Sequence, residues 1–170
     1  MDIHSLMMMF PVAFMVHDFE ELCFLESWIR KNADELRNRF TGKIWIRLEQ
    51  HSTAALGIGI MMMFLFVSFT SILSVALNLY TLFAAAMIIF MGHNLFHIVQ
   101  PIFLQRYIPA AGSALLTLPY PFYVLRYMNY LNLFVWREAV MVSVLYGVVT
   151  FLYLAIAQRV GLWVDQQLNH

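Results

Sequence analysis

The chain has 170 residues, of which 62% are apolar and only 12% charged, whereas an ordinary soluble domain is about 45–50% apolar and about 25% charged. That composition excludes disorder and argues against a soluble fold. Ten Lys and Arg balance ten Asp and Glu, so no global field recruits nucleic acid or another strongly charged partner. A spanning helix needs roughly 20 residues. The length therefore holds four or five spans in one membrane domain over residues 1–170, with no soluble enzymatic domain beside them. A single cysteine, Cys23, excludes an internal disulfide and a Cys-based zinc cluster.

The first apolar run, Ser5 to Val16, is too short to cross a bilayer, but continuing to Leu25 gives a first span over 5–25. The extension brings three carboxylates, Asp18, Glu20 and Glu21, into the helix. Asp2 stands where a signal peptide carries basic residues, and no small-x-small cleavage pattern follows, so this span reads as retained. No lipidation box is present. Residues 26–50 hold six bases (Arg30, Lys31, Arg37, Arg39, Lys43, Arg47) and four acids (Glu26, Asp34, Glu35, Glu49) and belong outside the hydrocarbon. Ile29, Ala33, Leu36, Phe40 and Ile44 recur there at helical spacing, with Trp28 and Trp45 near the ends. This pattern suits an amphipathic helix in the interface plane, and equally a basic juxtamembrane linker.

From Ala54 to Met91 no charge occurs. One helix of that length would run to about 57 Å, nearly twice a hydrocarbon core of about 30 Å. Two spans are predicted, 54–77 and 80–104, turning around Asn78 and Tyr80. After Gln105-Arg106-Tyr107-Ile108-Pro109, a fourth span over 110–125 contains Pro119 and Pro121 and should be kinked or broken. The loop 126–138 carries Tyr127, Tyr130, Phe134 and Trp136 as an interfacial belt, and a fifth span covers 139–157. With the N-terminus outside, eight bases fall on the inner side and two on the outer, so the positive-inside rule places the C-terminus in the cytoplasm.

His17, Glu20 and Glu21 stand at i, i+3 and i+4, within an arc of about 100°. Asp18 points about 160° away from Glu20. The third span carries His93 and His97 at i and i+4, with Gln100 a further turn along and Asn94 beside them. In this topology His17 and Glu21 lie about 18 and 24 Å along their helix, and His93 and His97 about 20 and 26 Å along theirs. The two polar faces thus share one level in the inner half of the bilayer. His4, His51 and His170, at ends and loops, read as solvated bystanders.

A carboxylate charge at a span centre costs about 2.5–3.5 kcal/mol, and no Lys or Arg occurs at that depth to pair with it. The available cations are protonated imidazoles or a bound metal. Three His and two Glu suit a divalent ion, Zn²⁺ first and Fe or Mn next. His17, His93 and His97 with one of Glu20 or Glu21 would hold it, and the other Glu would activate water as a catalytic base. The first expectation is therefore a metal-dependent intramembrane hydrolase acting on a lipid or lipid-linked substrate. Two alternatives stay open. The same cluster could bind or carry a metal ion, haem or protons without turnover, or it could order the bundle of an accessory subunit, alone or as a homo-oligomer.

The string His17-Asp18-Phe19-Glu20-Glu21 resembles the signature of the HXXEE-domain membrane proteins, a bacterial family whose pattern also includes a later histidine and a YxPG motif. Here His97 precedes Tyr107-Ile108-Pro109-Ala110, and the resemblance extends from about Leu6 to Tyr123 in order and hydropathy. It implies a multi-span protein of the bacterial cytoplasmic membrane and supports His17, Glu20, Glu21 and His97 as site residues, without naming a reaction. One departure is visible: Ala110 occupies the position of the motif's glycine, and alanine tolerates a left-handed turn poorly.

Overall fold

The computed structural model describes residues 2–39 and 52–168. These residues form helices joined by short turns, and no strand occurs among them. In chain order the helices are α1 (Ile3–Met8), α2 (Phe10–Lys31), α3 (Ala33–Arg39), α4 (Thr53–Ala76), α5 (Tyr80–Leu104), α6 (Ala111–Thr117), α7 (Pro119–Tyr130) and α8 (Trp136–Leu168). Three of them, Thr53–Ala76, Tyr80–Leu104 and Trp136–Gln167, are long and apolar enough to cross a membrane.

The boundaries follow from local chemistry. The expected first span is divided at Met9, because Pro11 has no N–H for the helical ladder and its ring crowds the carbonyl one turn before it. The second piece then runs past Leu25 to Lys31, so the start of the predicted interfacial segment continues α2. After a turn at Asn32, α3 follows, and Ile29 and Leu36 are buried together against Leu25, Trp28 and Ala33. The helical spacing read at 29, 33 and 36 is thus used, while Phe40, Ile44 and Trp45 lie outside the described residues. The turn expected near Asn78 falls there, with Asn78 at φ 53°, a left-handed conformation that asparagine adopts more readily than most residues.

The predicted fourth span is two helices that meet at Leu118. Pro119 opens α7, where its missing N–H has no partner to lose. α7 continues to Tyr130 and α8 begins at Trp136, which shortens the expected aromatic loop to residues 131–135. α8 has 33 residues and extends well beyond the predicted 139–157.

Large apolar side chains meet in the middle of the bundle. Phe10 of α2 contacts the rings of Phe83 and Phe90 of α5 edge-on, at centroid distances of 5.9 and 5.2 Å. The run Ala84-Ala85-Ala86 beside them is wholly buried. α4 and α8 approach through small residues, Ala55 and Gly59 on one helix and Ala157 and Gly161 on the other. A hydrogen bond of 3.1 Å between Thr70 and Tyr146 links the same two helices. The outer faces are apolar: Leu65, Phe69, Val144, Leu145 and Phe151 are each more than half exposed. Such a surface suits hydrocarbon rather than water.

Candidate functional site

α2 differs from the three apolar helices in carrying Asp18, Glu20, Glu21 and Glu26, and each carboxylate has a defined place. Glu26, at the charged end, accepts hydrogen bonds from the backbone N–H and the hydroxyl of Thr53, at 2.6 and 2.5 Å. It thereby caps the first turn of α4 and also pairs with Arg30. The hydroxyl and backbone hydrogen bonds from Thr53 hold its carboxyl below the usual glutamate value.

Glu20 caps a second helix. Its Oε2 accepts the backbone N–H of Ser113, at 2.6 Å, in the first turn of α6, and its Oε1 accepts the hydroxyl of Tyr107. A Cβ on Gly112 would lie 3.1 Å from the Tyr107 hydroxyl, a tight approach, and in ordinary contact with the two Glu20 carboxylate oxygens at 3.4 and 3.5 Å. Ser113 also donates from Oγ to the backbone carbonyl of His17, at 2.8 Å. Trp28 of α2 donates from its indole N–H to the carbonyl of Tyr107, at 2.8 Å. Arg106 reaches Asn32 and Glu35, each at 2.5 Å. The Tyr-x-Pro turn is thus fastened along one side of α2 and α3.

Ala110, at the end of that turn, has φ 82° and ψ −16° and is fully buried. This is the left-handed conformation that glycine adopts without strain, and it falls at the position where the motif has glycine.

The histidines come together between α2 and α5. His17 and His93 face each other with their Nε2 atoms 3.0 Å apart. The ring centroids lie 4.9 Å apart for His17 and His93, 5.0 Å for His17 and His97, and 4.5 Å for His93 and His97. One ligating atom from each of the three rings lies within 4.8 Å of the others. His17 is fully buried and His97 nearly so, and His93 is the most accessible of the three. Two carboxylates border the rings: Glu21 Oε1 lies 3.7 Å from His97 Nε2, and Asp18 Oδ1 lies 3.8 Å from His17 Nε2. No Lys or Arg among the described residues pairs with either.

Of the five residues singled out by sequence, the structure collects His17, His93, His97 and Glu21 in one cluster and directs both oxygens of Glu20 to the Tyr107–Ser113 turn. Asp18, read as pointing elsewhere, is buried beside His17. Angular position on an ideal helix gives the direction of a Cα–Cβ bond, and side-chain rotation carries the carboxylate back toward the ring. His4 is engaged as well, 3.2 Å from the hydroxyl of Tyr80. His51 and His170 lie outside the described residues.

Imidazole nitrogens with carboxylates beside them are donor types that could hold a divalent cation. Two ligand nitrogens about 2.0–2.1 Å from one ion at the tetrahedral angle are about 3.3 Å apart, close to the separation of the His17 and His93 nitrogens. The same distance is that of an N–H···N hydrogen bond between two neutral rings, one Nε2 donating and the other accepting. The buried Nδ1 atoms of His17 and His97 have no hydrogen-bond partner; on His17 this atom lies across the ring from the Nε2 that faces His93, so an ion between the two Nε2 atoms leaves it unpaired.

Among the described residues, fold and cluster together define an all-helical protein with three helices long and apolar enough to cross a membrane and a concentration of imidazoles bordered by carboxylates. Residues 8–124 match the family described as "Protein of unknown function with HXXEE motif", and the chain belongs to it. The matched region contains the whole cluster and the Tyr107–Ala110 turn. No significant match occurs among curated proteins or solved structures.

Proposed function

We propose that the protein is a metal-dependent membrane hydrolase in which His17, His93 and His97 hold a divalent ion and Glu21 handles the proton of the attacking water. The observation that carries this reading is the meeting of three imidazole donors within 4.8 Å, with a carboxylate 3.7 Å from one of them. Three protein ligands leave a fourth position for water or substrate, the arrangement of catalytic rather than structural zinc sites. Zn²⁺ suits the imidazole donors best, with Fe or Mn as further candidates. A bound ion there supplies a Lewis acid that polarises a substrate oxygen and brings water ionisation to near neutral pH. Glu21 accepts a proton, and the half-buried setting of its side chain keeps that carboxylate out of bulk water.

The substrate is a lipid or lipid-linked molecule, a reading supported by the exposed apolar side chains of Leu95 and Phe96 that neighbour His93 on α5. In the same reading, α2 and the broken α6–α7 pair cross the bacterial cytoplasmic membrane with the three apolar helices. The N-terminus then lies outside and the C-terminus in the cytoplasm.

The test is purification without chelator followed by elemental analysis. One equivalent of Zn, Fe or Mn per folded chain is expected, falling below a tenth in His97→Ala, and a panel of lipid esters and lipid phosphates is then assayed with and without the ion. A folded wild-type protein without stoichiometric metal overturns the reading. A Soret band in the purified protein replaces the hydrolase with a haem binder.

A further inference from the structure

We propose that Glu20 and Tyr107 form a latch that positions the histidine cluster, so that the two glutamates of the HxxEE string have different tasks: Glu21 serves the site, and Glu20 is a positioning residue. This inference rests on the metal-site reading for its spectroscopic test but not for its structural one.

The geometry supports each part. Glu20 directs both oxygens to the segment that follows α5, one to the hydroxyl of Tyr107 and one to the Ser113 N–H at 2.6 Å. A carboxylate at a helix N-terminus interacts favourably with the unpaired N–H groups there, and Ala110, the N-cap residue of α6, has no side-chain acceptor of its own. Glu20 therefore supplies from α2 the acceptor that α6 lacks. The same docking brings Ser113 Oγ to the carbonyl of His17, at 2.8 Å. The residue held by this second contact is the one whose imidazole faces both His93 and His97. On the other side of α6, Thr117 lies 3.3 Å from Asn94, which stands between His93 and His97 on α5. α6 thus bridges α2 to α5 immediately beside the rings, and the Glu20 carboxylate anchors the α2 side of that bridge. Trp28 secures the Tyr107 carbonyl, which fixes the hydroxyl that completes the latch.

Outer partners that orient metal ligands typically change affinity by 10–100-fold when removed. The full-length detergent-solubilised protein is titrated with Co²⁺ while the visible d–d bands are recorded, for wild type, Glu20→Gln, Tyr107→Phe and His17→Ala. Glu20→Gln is expected to weaken Co²⁺ binding by about 10–100-fold and still take one ion with the wild-type band pattern at saturation. Tyr107→Phe is expected to give a smaller loss of the same kind. If Glu20→Gln binds within twofold of wild type, the latch is overturned. If its saturated spectrum instead changes in the way that His17→Ala changes it, Glu20 is a ligand and the positioning role is overturned. Hydrogen–deuterium exchange of the metal-free proteins reads the latch by itself. The segment 107–114 should exchange at least about tenfold faster in Glu20→Gln and faster in Tyr107→Phe. Unchanged exchange overturns the latch whatever the metal does, whereas a wild type that binds no Co²⁺ but shows the exchange difference overturns only the metal reading.

Discussion

Glu20 and Tyr107 stand 87 positions apart and meet through a hydrogen bond from the tyrosine hydroxyl to the glutamate Oε1. The contact joins the HxxEE string to the Tyr-x-Pro turn and accounts for one of the carboxylates that make α2 unlike its apolar neighbours. Replacing Tyr107 by Phe removes the donor and little else, since the ring is more than half exposed. A hydrogen bond to a charged group is worth about 1.5–3 kcal/mol, and exposure reduces that figure, so a loss of about 1 kcal/mol is expected. Thermal unfolding in detergent should show a lower midpoint than wild type, and an unchanged midpoint would deny the contact a stabilising role.

Ala110 holds a conformation that suits glycine. A left-handed backbone costs an L-residue about 1–2 kcal/mol, part of which glycine returns through its greater freedom in the unfolded chain. Ala110→Gly should therefore raise stability by about 0.5 kcal/mol or more, and Ala110→Val, with a branched Cβ at φ 82° and no free space, should lower it. The order Gly above Ala above Val in unfolding midpoint is the measurement, and a Gly variant below wild type contradicts the strain.

The approach of α4 to α8 depends on Gly161. A Cβ there would lie 2.2 Å from the carbonyl oxygen of Ala55, a backbone atom that cannot swing aside. Gly161→Ala must push the helices apart, at a cost of about 1–3 kcal/mol. Gly92, where an added Cβ would meet no atom within 4 Å, is the matched control. Gly92→Ala should raise the unfolding midpoint, by about 0.5–1 kcal/mol, the gain of alanine over glycine inside a helix, and equal effects of the two substitutions would contradict the close crossing.

Glu26 predicts an acid limit. Hydrogen bonds from Thr53 place its folded value below the ordinary 4.5. A carboxyl lowered on folding contributes stability that is complete above its unfolded value and disappears as pH falls through the folded one. The difference in midpoint between wild type and Glu26→Gln should be constant above about pH 5 and shrink below about pH 4. A difference that grows on acidification would reverse the assigned sign.

Much of the site is legible in the sequence because helical periodicity and hydropathy both register along the chain. His17 with Glu21, and His93 with His97, are each separated by one turn, and matching their depths puts them at one level without any knowledge of the packing. The meeting of the three rings realises that relationship. Glu20 and Asp18 are not legible in the same way. Glu20 shares an arc with His17 and Glu21, yet its partners are a tyrosine and a backbone N–H that follow α5. Asp18 lies across the helix from Glu20, yet its carboxylate returns to within 3.8 Å of His17.

Composition, charge spacing and prolines by themselves determined an all-helical apolar chain, the turns at Asn78 and after Leu104, and the break before Pro119, because each depends on neighbours along the backbone. They also determined that carboxylates inside α2 require partners, because their desolvation cost does not depend on the fold. Which partner each one takes was decided only in three dimensions. Helix ends have unpaired N–H groups wherever packing places them, and α2 happens to pass two such ends, at Thr53 and Ser113, and one group of imidazoles. Four similar acidic side chains on one helix thereby become two helix caps and two neighbours of a histidine cluster.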